Sequence, residues 1–236
     1  MIDSLLGLLL ATAAFIITHL ALSGRRLRDR LVGKMGAQPF LGFYAVAVVI
    51  PFAWMIMAYN GAPHVEIWQA PTAVKHLSLT LMIIVCIFLA ASFTPRNPTL
   101  AGTGDGGMES GPRGIFRITR HPMMWGIGVW ALLHVAANGD GAAIILFGGL
   151  AGLALLGPLH IDRRRARTLG DKWRRYQEQS SHIPFAAILA KRTTFSAREI
   201  GWPPVIIGFV LYLVLLIAHE PVIGIAPVSL VSGIFK

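Results

Sequence analysis

Residues 142–176 read AAIILFGGLAGLALLGPLH followed at once by IDRRRARTLGDKWRRY. The first part holds 19 residues without Asp, Glu, Lys or Arg; the second is dense in arginine. A run of that length and apolarity approaches the ~20 residues that cross a bilayer core. An abrupt basic end is what anchors such a span on the cytoplasmic side. Working outward, the same pattern recurs at 2–22, 41–59, 76–93, 122–137 and 202–219. The expected fold is therefore an all-α, polytopic membrane helix bundle of six transmembrane helices, with residues 1–236 forming a single transmembrane domain. The apolar, Pro/Gly-broken tail at 220–236 reads as interfacial rather than as a seventh span.

Composition supports this class. Hydrophobic residues make up 55% and charged residues 14%, with mean hydropathy +0.63; soluble domains carry about 25% charged residues. The loops at 23–40, 94–120 and 161–201 hold 19 of the 21 Lys and Arg residues, leaving Lys75 and Lys236 for the opposite side. The positive-inside rule then places the basic loops in the cytoplasm and both termini outside, as in a bacterial inner-membrane protein. The net charge of +10 finds its partner in anionic lipid headgroups, and nucleic acid is not needed to explain it. The first span, preceded by no basic residue and lacking a small-residue cleavage site, reads as an anchor rather than a signal peptide. Cys86 is the lone cysteine, so an intrachain disulfide is excluded and a small buried hydrophobe is the expected role.

Two polar segments have their own organisation. Ala166, Leu169, Trp173 and Tyr176 recur at helical spacing within 162–178, a stripe that suits either a membrane surface or the flank of the bundle. Residues 94–114 contain Pro95, Pro98 and six glycines, the composition of a flexible loop. The Asn138-Gly139-Asp140-Gly141 stretch supplies a tight reversal.

Histidines carry the functional signal. His19, His76, His134, His160 and His219 fall inside the spans or at their last turn, and His121 opens the fourth within Arg120-His121-Pro122. Ionisable groups are costly in lipid, so several retained together point to a functional interior. Imidazole is the commonest protein ligand for metals and haem iron. Outside the spans, His64 and His182 read as solvated loop residues; His160, at the end of its span, also reads as a structural partner for Asp162 and the arginines that follow.

The motifs Gly114-Ile-Phe-Arg117-Ile-Thr-Arg120-His121-Pro122-Met-Met-Trp-Gly126, Trp130-Ala-Leu-Leu-His134, His160-Ile161-Asp162-Arg163-Arg164, Leu169-Gly170-Asp-Lys-Trp173-Arg-Arg-Tyr176 and Ser181-His-Ile-Pro184-Phe185 follow one another along the chain. Together they resemble the NnrU family of membrane proteins, associated with denitrification and nitric oxide metabolism. The same motifs are similar to the related zeta-carotene isomerase, a haem b protein of the same membrane domain, and more distantly to isoprenylcysteine carboxyl methyltransferases and phospholipid methyltransferases. The resemblance implies haem b held by His19 and His134 as metal ligands, with His76 matching a third histidine of the isomerase. Where the isomerase has a histidine before its Arg-His-Pro motif, this chain has Glu109. Carotenoid isomerisation is not implied for an NnrU-type chain.

Depth arithmetic bears on that pair. His19 lies about one turn from the basic end of its span, whereas His134 lies roughly 16 Å in, a difference of about 12 Å. A haem between them must be strongly inclined or the helices tilted. Matching of levels alone pairs His19 with His160 or His121, and His134 with His76.

Three functions stay open. The first is a haem protein supporting nitrite or nitric oxide reduction by redox chemistry, gas sensing or reductase maturation, with nitric oxide or a small apolar ligand and reductase components as partners beside the lipid bilayer. The second is a membrane methyltransferase in which Arg120 and His121 help bind S-adenosylmethionine; against it, the acidic pair of such enzymes is replaced by Asp162-Arg163-Arg164-Arg165. The third is a non-catalytic assembly factor.

Overall fold

A computed structural model describes residues 4–93, 97–99 and 108–227. Among them the regular structure is helical, with only an isolated bridge between Glu66 and Asp140. The helices are α1 (Leu5–Ser23), α2 (Arg25–Met35), α3 (Ala37–Gly61), α4 (Thr72–Ser92), α5 (Ile115–Ile118), α6 (Pro122–Asn138), α7 (Gly141–Leu169), α8 (Asp171–Glu178), α9 (Ala186–Leu189) and α10 (Trp202–Ile223). Five of them, α1, α3, α4, α7 and α10, are long and apolar enough to cross a membrane. The fourth expected span forms α6, whose 17 residues fall short of the ~20 needed for a full crossing.

Several boundaries depart from the sequence expectation. The basic segment after the first span is not loop: Arg25–Met35 is a helix without a buried residue, with an exposed Arg25–Asp29 pair one turn apart. α7 runs nine residues beyond His160, because an arginine-rich segment keeps a helix as readily as an apolar one once it leaves lipid. The expected helix over 162–178 is therefore two, broken at Gly170, whose φ of +54° lies in the left-handed region. α10 continues through Pro221 to Ile223, past the expected end at 219. The glycine-rich stretch and the end of the tail fall largely outside the described residues.

The chain divides into two compact units. The first comprises residues up to 70 together with 131–153. Here α1 packs on α3, and α7 runs parallel to α1, since Gly141 abuts Leu5 while Gly149 abuts Thr12 and Ile16. The 138–141 reversal is as expected. Gly139 has φ +70°, its carbonyl accepts from the N–H groups of Ile67 and Trp68, and a Cβ there would strike the Trp68 carbonyl. The Asp140 carboxylate caps α7 by accepting from the Ala143 N–H at 3.0 Å.

The second unit comprises 71–130 with the chain from 154 onward. Its main helix pair is α4 with α10, brought together at Gly208, where a Cβ would lie 2.7 Å from the Ile87 nitrogen. Cys86 is buried one residue away, as expected for a small apolar side chain. The stripe on α8 faces protein: Trp173 and Tyr176 are buried against Met108 and Leu169.

Gly208→Leu tests the helix contact. Overpacking a backbone-to-backbone approach costs about 1–3 kcal/mol, so the variant should melt well below wild type in detergent, while Gly224→Leu, placed where no atom lies within 4 Å of the added Cβ but at positive φ, should lose less.

Candidate functional site

In the second unit the Arg-His-Pro motif converges on one carboxylate. Arg120 donates from Nε (2.9 Å) and Nη2 (2.5 Å) to Asp162 Oδ2, and His121 Nε2 lies 2.7 Å from Oδ1. Arg120 and Asp162 side chains are 10% exposed and His121 is fully buried. Asp162 sits on the polar extension of α7, so the extra turns of that helix are what deliver the carboxylate to the motif. Arg120 and His121, about forty residues earlier in sequence, reach both oxygens of this carboxylate.

The backbone around this cluster is stitched to a second segment. The Arg120 N–H donates to the Ser181 carbonyl at 2.9 Å and the Phe185 N–H to the Ile118 carbonyl at 2.8 Å. The Thr119 hydroxyl and Trp125 Nε1 both donate to the His182 carbonyl, at 2.6 and 2.8 Å. Thr119 thus serves the inter-segment link as well as accepting from the His121 N–H. The His182 ring meets His121 edge-on at 5.7 Å between centroids and lies 5.9 Å from that of Trp125. His182 is not the solvated loop residue expected from sequence; its Nδ1 is buried and, like His121 Nδ1, has no hydrogen-bond partner among the described residues.

Nearby, Glu199 accepts from the Gly114 N–H at 3.0 Å and from Arg117 at 2.7 and 3.1 Å. The Gly114 N–H, then Arg117, hold its carboxyl below the usual range. Glu109, which takes the place of an isomerase histidine, forms an exposed pair with Lys172 at 3.1 Å.

In the first unit the histidines sit along an aromatic seam. His19 Nδ1 and the Tyr44 hydroxyl share a hydrogen bond of 3.2 Å, and His19 Nε2 has no partner among the described residues. Phe15 lies beside His19 and against Phe52 of α3 at 5.4 Å. Further along α3, Tyr59 meets Phe147 at 5.9 Å, and the His134 ring lies against Phe147 at 4.6 Å. The parallel register of α1 and α7 sets Phe147 level with about residue 11 of α1. His134 then stands roughly 12 Å in axial level from His19, eight residues further on. Both histidines belong to the same unit; His76 belongs to the other and is exposed near the start of α4. Among the described residues no group of three or more His, Cys, Asp or Glu side chains could hold a metal ion.

Burial pushes the His121 imidazole below its ordinary 6.5 even with Asp162 beside it, because Arg120 already offsets that carboxylate. Burial lowers His182 in the same direction. Both rings are neutral in the fold and free to protonate in the unfolded chain. Stability from this source is therefore fully present above 6.5 and is lost as pH falls below it. The melting midpoint of the purified protein should drop between pH 7.5 and about pH 5, and His121→Gln, which keeps a donor but cannot titrate, should shrink the drop. A midpoint equally pH-dependent in that variant and in wild type contradicts the assignment.

Comparison with known proteins agrees with the motifs. A family model described as NnrU protein matches residues 7–227. Two curated relatives, both named 15-cis-zeta-carotene isomerase, chloroplastic, come from Arabidopsis thaliana and Zea mays. Each is 28% identical over 190 residues, covering 79% and 78% of this chain and 51% of the relative. The chain thus spans about half the length of the curated relatives it matches. No solved structure matches. Taken with the Arg-His-Pro node and the long apolar helices, a match over nearly the whole length means that this chain belongs to the NnrU family.

Proposed function

We propose that this protein is a haem b protein of the bacterial inner membrane that supports nitrite or nitric oxide reduction. In this reading α6 makes a sixth, shorter crossing, the basic segments face the cytoplasm and both termini face outside. The observation that carries the haem assignment is the hydrogen bond between Tyr44 and His19 Nδ1. A ligating imidazole is held in place through one nitrogen while the other meets the metal, and His19 has Nε2 left over. His134 in the same unit would supply the second imidazole, roughly 12 Å from His19 in axial level.

When bound, haem b supplies one-electron chemistry, and gas binding where a coordination position opens. The chain's own residues do the rest. Tyr44 orients His19, its hydroxyl oxygen accepting from Nδ1–H in the tautomer that leaves Nε2 as the ligand, Phe147 lies against the His134 ring, and Phe15, Phe52 and Tyr59 keep the seam apolar. A low-polarity surround controls solvent access and hence potential.

A second reading draws on the two isomerase relatives: cis–trans isomerisation of a long apolar polyene by the same seam. S-adenosylmethionine binding at Arg120 and His121 has less support, because the hydrogen bonds of both side chains to Asp162 give them a structural role.

Oxidised and dithionite-reduced spectra of the detergent-purified protein test the proposal. A Soret band with sharp reduced α and β bands is expected, abolished or strongly shifted in His19→Ala and in His134→Ala, and broadened in Tyr44→Phe. A protein that stays colourless when produced with added haem precursor overturns the haem reading; carotenoid co-purifying with it favours the isomerase.

A further inference from the structure

The second unit contains a cavity of about 340 Å³ beside the Asp162 cluster, lined by Arg120, Gln177, Ser180, Ser181, His182 and Arg192, with Ile183 and Ala186 completing the wall. Its charged lining is entirely cationic. Asp162 offsets Arg120 from behind. Arg192 has no such partner: Nη1 donates to the carbonyls of Gln177 (3.1 Å), Glu178 (2.7 Å) and Ser180 (2.9 Å), and no carboxylate among the described residues pairs with it. Those three carbonyls fix the guanidinium in place and leave Nε and Nη2 for something else. A preset planar donor fork with uncompensated charge is suited to a phosphate.

The rim narrows the class of phosphate. Ile183, which lines the cavity, is 60% exposed, and the neighbouring Phe185 and Leu189 are 48% and 81% exposed. Phe185 holds φ +65°, a conformation that strains a bulky residue, and its N–H is tied to the Ile118 carbonyl at 2.8 Å. A soluble anion has no use for a large apolar rim kept in the open beside its binding groups. An amphiphile does: its headgroup enters the cationic cavity and its chains lie along the rim. We infer that this cavity binds the phosphate of an anionic phospholipid, with Arg192 as the principal contact and Ile183, Phe185 and Leu189 against the acyl chains.

The test is thermal melting of the full-length protein in a neutral maltoside detergent, titrated with dioleoylphosphatidylglycerol, dioleoylphosphatidylcholine or inorganic phosphate. The anionic lipid should raise the midpoint at concentrations at least five-fold below those of the zwitterionic lipid, and inorganic phosphate should leave it unchanged. Arg192→Gln should need at least five-fold more anionic lipid for the same rise. Because Arg192 also caps α8, a second variant, Phe185→Ser/Leu189→Ser, leaves that cap intact and should weaken the lipid response likewise. Equal response to both lipids, a response reproduced by inorganic phosphate, or an anionic-lipid response unaltered in the variants that fold each overturns the inference.

Discussion

A single buried carboxylate organises the polar end of the second unit. Taking Asp162 out of water is costly unless its charge is matched and its lone pairs are filled. Arg120 matches the charge through two nitrogens, and the neutral His121 ring fills the remaining oxygen. Once those groups are fixed, the start of α6 is fixed relative to α7, and the backbone from Ile118 to Trp125 is in register to bond the 181–185 segment. The cationic cavity exists because the chain is held there. Arg-His-Pro is thus a joint before it is a binding motif, and the proline follows from the geometry: it starts α6 without an amide proton that would need a partner.

The first unit rests on apolar physics instead. Its contacts are ring against ring along one side of α3, which carries Tyr44, Phe52 and Tyr59 at spacings of eight and seven residues, close to whole turns. Aromatic rings fill the space between helices that approach closely at Gly141 and Gly149. The two lead histidines lie at separate points of this seam, so any group that they hold shares a largely apolar wall.

The long helices were legible in the sequence because apolar length is a one-dimensional signal. So were the Asn-Gly turn at 138–141 and the buried role of Cys86. The misreadings have a common cause. Arg25–Met35 looks like loop by charge, yet arginine, leucine and lysine are good helix formers wherever solvent bathes them. The stripe of Trp173 and Tyr176 was visible, but a stripe has the same period whether it faces lipid or protein; Met108, far away in sequence, decides it. The partners of Asp162 about forty positions earlier leave no periodic trace in the sequence. His182 and Arg192 gain their meaning only from the fold, since nothing adjacent to them marks a cavity.

The direct test of the account is a double-mutant cycle on the joint: Asp162→Asn, Arg120→Met and the pair together, compared by unfolding in detergent. Asparagine keeps an acceptor for His121, so the cycle isolates the charge pair. The account predicts that each single variant loses stability by about 3 kcal/mol or more, the cost of an orphaned buried partner, and that the double variant recovers a large part of that loss. Losses that simply add would contradict it, leaving Arg120 and Asp162 as independent groups and the Arg-His-Pro motif without its structural role.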